Sequence, residues 1–254
     1  MKRLLFKSLH FGCVHFPYQD KKCVEIVKKV ASVFKPDVVA SLGDLVSCDQ
    51  FSAHPPTHGM KETVYKDDIR DTNEFLNYLQ KHSKQLVLVE GNHEYRVARW
   101  ASKSKEGKNA FSSIAPHVHL TNNRKNVKYV RYHTQKNQYA HHKLNSRIVL
   151  VHGWSYAENA TKKHLQLAQG KTIIHAHTHR VDMSANQNIW SSGSHQARSV
   201  GCLCRPIPMY QTSSPVKWVN AFVVGYHGSH SDTLYTVLIE KNRAVLPDGR
   251  EIKI

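Results

Sequence analysis

The stretch QLVLVEGNHE, from Gln85 to Glu94, decides how the rest of the chain is read. Leu86 to Val89 form a continuous apolar run, too short for a helix and typical of a strand covered on both faces. The run stops at Gly91-Asn92-His93-Glu94, which offers an amide oxygen, an imidazole and a carboxylate in three successive residues. A buried strand that delivers polar groups at its end belongs to a largely parallel α/β sheet, where ligands gather outside the carboxyl ends of the strands.

Working outward, the same pattern recurs. RLLFKSLHFGCV reads as a first strand, and DKKCVEIVKKVASVFK as an amphipathic helix with Val24, Val27, Ala31 and Phe34 on one face. Asp20 is its N-cap and Pro36 its stop. PDVVASLGD is a second strand, DDIRDTNEFLNYLQKHS a second helix, NSRIVLVHG a fourth strand, SYAENATKKHLQLAQG a helix and KTIIHAHTHR a fifth strand. Alternation of this kind indicates an α/β protein. Residues 96–146 are polar and basic, and read as an insertion with some helix that caps the substrate side. WVNAFVVGYH, TLYTVLIEKN and RAVLPDGREIKI read as antiparallel strands that close the molecule with a strand-rich layer. No repeat or linker divides residues 1–254, so one domain is expected.

Composition bounds the function. The 254 residues carry a formal charge of +17, which favours a polyanionic partner through long-range attraction and counterion release. No apolar run approaches the length of a membrane span. The five cysteines are odd in number and irregularly spaced, so they form no disulfide framework. These features predict a cytoplasmic protein with no membrane partner.

Polar residues follow every apolar strand: His15 the first, Asp44 the second, Asn92 and His93 the third, His152 the fourth, His177 and His179 the fifth. Imidazole, carboxylate and amide donors together suit divalent ions such as Zn, Mn and Fe. Two ions about 3.5–4 Å apart clamp a phosphate between attacking and leaving oxygens.

In order, CVH, GDLVS, GNHE, VHG and AHTH resemble the signature of the calcineurin-like metallophosphoesterases: DxH, GDxx(D), GNH(E/D), H and GHxH. The tail SVGCLCRPIPMY and WVNAFVV is similar to the short members encoded by bacteriophages and prophages. The resemblance implies a four-layer α/β/β/α sandwich and two divalent ions. It implies that Cys13, His15, Asp44 and His179 serve the first ion, and that Asp44, Asn92, His152 and His177 serve the second, with Asp44 bridging. His93 is then the catalytic residue at the leaving oxygen, with Glu94 supporting it. Arg96 and His54 are substrate-binding candidates. The implied reaction is hydrolysis of a phosphodiester, nucleotide or nucleic-acid phosphate by a hydroxide held between the ions.

The chain departs from that pattern at Cys13, which stands where the family has the Asp of DxH. Two readings follow: a thiolate ligand that biases the site toward Zn or Fe, or a small buried residue beside a weakened site. Ala176 replaces the Gly of GHxH, and Ser47 stands where many members have an acid. GDLVSCDQF lacks the early Arg expected of protein phosphatases, which makes that branch an alternative only. A polyanion-binding relative without catalysis is the other.

Overall fold

A computed structural model describes residues 4–53, 64–132, 139–187, 193–205 and 217–254. Strand β1 (Leu4–Phe11) shows how the chain sorts its side chains. Leu9 and Phe11 enter a hydrophobic cluster shared with the helices, while Ser8 and His10 lie on the opposite face of the strand. Helix α1 (Lys21–Phe34) begins where the Asp20 carboxylate accepts from the N–H groups of Lys22 and Cys23. Val24, Val27, Ala31 and Phe34 are buried along its inner stripe. It ends at Lys35, whose φ of 50° turns the chain out of the helix just before Pro36.

β2 (Val38–Ser41), α2 (Tyr65–Lys81) and β3 (Gln85–Val89) repeat the unit, and β1, β2 and β3 pair in parallel. α3 (Asn92–Ala101), α4 (Lys105–Ile114) and α5 (Pro116–Thr121) then lead to β4 (Val127–Val130), which pairs in parallel with β3. The stretch expected as an insertion over residues 96–146 therefore includes the crossover to the edge strand of the main sheet. Its polarity reflects short helices with wide solvent faces and a four-residue edge strand, of which Val130 alone is buried.

The second sheet is built from β5 (His142–Lys143), β6 (Ile148–Leu150), β7 (Thr172–His175), β8 (Met183–Gln187) and β9 (Ser194–Ser199), in the order β5-β6-β7-β9-β8. α6 (Ala160–Leu167) connects β6 to β7. The closing strands do not form a layer of their own, which corrects the sequence expectation. β10 (Ala221–Gly228) pairs antiparallel with β1, and β11 (Asp232–Leu238) with β10, giving a six-stranded sheet β11-β10-β1-β2-β3-β4. β12 (Arg243–Val245) and β13 (Glu251–Lys253) form a separate hairpin.

Three clusters define the layers. Leu9, Phe11, Leu86 and Phe222 pack the first sheet against α1 and α2. Ala40, Leu42, Val87 and Val89 meet Ile148, Leu150, Ile174 and Val200 between the sheets. Leu165 and Ala168 cover Ile173 and Ala197 on the far side of the second sheet. The molecule is the α/β/β/α sandwich that the motifs imply. A polar chain also crosses the inter-sheet layer. The Ser8 hydroxyl lies 2.7 Å from His10 Nε2 and 2.6 Å from His227 Nε2. His227 Nδ1 lies 2.8 Å from Asp232, which Arg147 holds from the second sheet's side at 2.5 Å.

Candidate metal centre

The carboxyl ends of β1, β2 and β3 in one sheet and of β6 and β7 in the other converge at one edge of the sandwich. Five of the residues delivered there adopt left-handed backbone: Cys13 (φ 52°), His15 (54°), Asp44 (53°), His177 (70°) and His179 (57°). Such conformations are uncommon outside glycine, and their concentration here marks a site whose loops are held by surrounding bonds.

Those bonds are visible. Asp44 accepts at Oδ1 from the His93 backbone N–H at 3.0 Å. The Glu94 carboxylate accepts three backbone N–H groups, from Asp44, Val46 and Gly91, at 2.9–3.0 Å. It thereby ties the loop after β2 to the start of α3. Gly91 is required there, because a Cβ would fall 2.1 Å from Asp44 Oδ1. Gly12 is needed for a related reason: its Cβ would lie 2.6 Å from the Ala176 methyl, so the extra methyl at position 176 is accommodated opposite a glycine.

Two donor groups form around Asp44. Donor atoms of Cys13, His15, Asp44 and His179 all lie within 4.8 Å of one another, as do those of Asp44, His152 and His177. His15 Nε2 and His179 Nε2 face each other at 3.1 Å, close to the separation of about 3.3 Å expected between two nitrogens on one tetrahedral zinc. His152 Nδ1 donates to the Leu42 carbonyl at 2.7 Å, which leaves Nε2 facing Asn92 Oδ1 at 2.9 Å and Asp44 Oδ2 at 3.3 Å. In the neutral ring that is a lone pair aimed at two oxygens, so the arrangement needs either a proton on Nε2 or a cation among the three atoms. The residues present fit a pair of divalent ions.

Electrostatics agree. Burial pushes the Asp44 carboxyl upward, but His152, His93 and His15 outweigh it and hold Asp44 well below the usual carboxylate range. Burial lowers His152, and Asp44 more than compensates, so its pKa is raised. Burial drives the Cys13 thiol well above its ordinary value, with Asp44 adding to the effect and the His177 N–H, 3.3 Å from the sulfur, opposing it. His179 falls to about 3 and His177 to about 4, chiefly by burial.

His93 stands beside the donors, its ring 4.4 Å from that of His15. Its Nδ1 lies 3.0 Å from the Ser47 carbonyl and must carry the proton, so Nε2 faces the Arg96 guanidinium at 3.2 Å. Burial lowers its pKa to about 4, against the pull of Asp44. Arg96 also donates to the Ser47 carbonyl at 3.0 Å and pairs with Asp49 at 2.6 Å. Trp218 packs edge-on against His179 with ring centres 4.1 Å apart. The Cys204 sulfur lies 3.8 Å from His179 Nδ1. Neither contact is signalled by a local motif, since the chain segments meet only through the fold. His54 lies outside the described residues. Tyr156 is 78% exposed and edges against His177, whereas Trp154 packs on His164 and His175 is fully buried.

Comparison with known proteins agrees with this geometry. The sequence profile described as calcineurin-like phosphoesterase matches residues 6–181, and the chain belongs to that family. Among solved structures, vacuolar protein sorting 29 from Cryptosporidium parvum is 11% identical, with 99% of this chain and 100% of that one covered at a TM-score of 0.51. Wild-type Vps29 from Entamoeba histolytica, complexed with zinc, is 12% identical, with 97% and 98% covered and a TM-score of 0.51. A comparison with curated proteins finds no significant match.

Proposed function

We propose that this chain is a metal-dependent phosphoesterase that hydrolyses phosphodiester or nucleotide phosphate bonds. The observation that carries the reading is the convergence of two donor groups on Asp44, with His93 beside them. Cys13, His15, Asp44 and His179 would hold one divalent ion, and Asp44, Asn92, His152 and His177 the other. Mn, Zn and Fe suit these donors, and the Cys13 sulfur favours Zn or Fe at the first position. When bound, the ions supply positive charge that neutralises the phosphate and activates the attacking water.

The protein's own groups do the rest. Glu94 fixes the loop that aims Asp44. The Ser47 carbonyl fixes the Nδ1–H of His93, which leaves Nε2, beside Arg96, as the atom that would serve the leaving oxygen. An anionic phosphate beside His93 favours its charged form, and the imidazolium then passes the Nε2 proton to the oxygen as the ester P–O bond breaks. Arg96, held by Asp49, opposes that charge while it faces Nε2, and its place in the cleft lets it meet the anionic phosphate instead.

The basic balance of the chain favours a nucleotide or nucleic-acid ester over an uncharged leaving group. The phage-type likeness of the tail and a cytoplasmic setting belong to this reading on sequence grounds. A non-catalytic polyanion-binding role has one observation in its favour, the replacement of the family's first Asp by Cys13. The two readings separate on His93. With Mn, Zn or Fe added, the wild-type protein turns over bis-p-nitrophenyl phosphate, and His93→Ala keeps its metal but loses about a hundredfold or more in kcat. Metal loss in that variant, or equal rates, contradicts the assigned role.

A further inference from the structure

Helix α3 does more than deliver Asn92 and His93. Asn92, Tyr95, Arg96, Arg99 and Trp100 recur at three- and four-residue steps and share one face of it. With Lys103 just beyond the helix and Tyr132 opposite, that face lines a cavity of about 470 Å³. The cavity adjoins the cleft over the metal centre, about 720 Å³, and both are lined by Asn92 and Arg96. From Asn92 to Trp100 the helix advances about 12 Å, so the face leads well away from the reacting phosphate.

Its chemistry is that of a nucleic-acid groove. Tyr95 and Tyr132 stack with ring centres 5.2 Å apart and an interplanar angle of 28°. Trp100 is 40% exposed beside Phe51. Arg99 and Lys103 are exposed, and the ion pairs found among the described residues include neither. On the other flank of the metal cleft stand Tyr156, 78% exposed, and Trp218. Trp100 thus keeps part of a large ring in water next to the exposed cations Arg99 and Lys103. Stacked bases cover such rings while backbone phosphates meet such cations.

Resting on the phosphodiesterase reading, we propose that the substrate is single-stranded nucleic acid, which crosses the metal centre and continues along the α3 face. Bases stack on Trp100 and the Tyr95–Tyr132 pair, and Arg99 and Lys103 meet phosphates next to the one cleaved. A single strand is specified because a duplex keeps its bases stacked inside, out of reach of these rings. A phosphopeptide offers no repeated phosphates for Arg99 and Lys103.

Binding is measured by fluorescence anisotropy with a labelled oligonucleotide of about ten nucleotides in EDTA, so that cleavage cannot intervene. Trp100→Ala is expected to weaken binding about five- to hundredfold. Arg99→Ala with Lys103→Ala is expected to lower the slope of log affinity against log salt by about 1.4. The exposed-lysine change Lys103→Ala alone serves where Trp100→Ala lowers the melting temperature. With metal restored, the oligonucleotide's kcat/KM should fall in these variants relative to that of bis-p-nitrophenyl phosphate. Unchanged affinity and salt slope in the variants, equal binding of duplex, or preference for a phosphopeptide overturns the proposal. Failure of the wild type to hydrolyse bis-p-nitrophenyl phosphate counts against the phosphodiesterase reading instead, and leaves the binding measurement to decide this one.

Discussion

Cys13 presents its sulfur to the same space as His15, Asp44 and His179, from a left-handed loop that the His177 N–H holds in place. A buried thiol there is protonated without a cation nearby, and a divalent ion displaces that proton. If the sulfur ligates, Cys13→Asp retains two metal equivalents and shifts preference toward Mn, while Cys13→Ala loses one equivalent. Metal analysis of the three proteins checks this, and equal content and activity in all of them refutes ligation. At this scale the residues proposed as ligands were legible, because they sit at strand ends where apolar runs stop. What holds them was less so. His93 is oriented by the Ser47 carbonyl, and a backbone group leaves no mark in the sequence. Cys204 and Trp218 reach His179 from a segment more than twenty residues downstream, so no local spacing could announce them.

Among the elements, long runs with a clear period were readable: β1, α1, α2, β3 and β10 fall where apolar patterning puts them. β4, β5, β8 and β9 were not read from the sequence, because they are short or, like β8, exposed and polar. Sheet membership of β10 was also hidden, since a strand's pattern does not say which edge it joins. Its pairing with β1 places His10 and His227 between the sheets, and this has a consequence for stability. Burial, with His227 and His142 nearby, lowers the pKa of His10 to about 3, against an ordinary value of 6.5. Between those values the unfolded chain binds the proton and the folded one does not. Stability is therefore full above about pH 6.5 and declines as pH falls toward about 3, by about 1.4 kcal/mol per pH unit for this residue. Urea denaturation of metal-free protein at several pH values should show a shallower acid slope for His10→Gln. The same slope in both proteins would show that His10 does not drive the effect.

For the whole molecule, two sheets packed face to face bring five strand ends from both halves of the chain to one edge. A central layer of Val, Leu, Ile and Ala side chains joins the sheets behind that edge, and α1, α2 and α6 cover the outer faces. Among the described residues no helix is long and apolar enough to cross a membrane, and all five cysteines are free and buried. The chain carries a net charge of +17, and the face of α3 that leads away from the metal cleft contributes Arg96 and Arg99.

A metal titration tests the proposed dinuclear centre at Asp44 most directly. Metal-stripped protein is titrated with Mn or Zn while hydrolysis of bis-p-nitrophenyl phosphate is followed, with Asp44→Asn in parallel. Activity is expected to rise to a break at two equivalents per chain in the wild type and to stay near background in the variant. A wild-type protein that binds two equivalents yet turns over nothing, or an Asp44→Asn variant as active as the wild type, would contradict it.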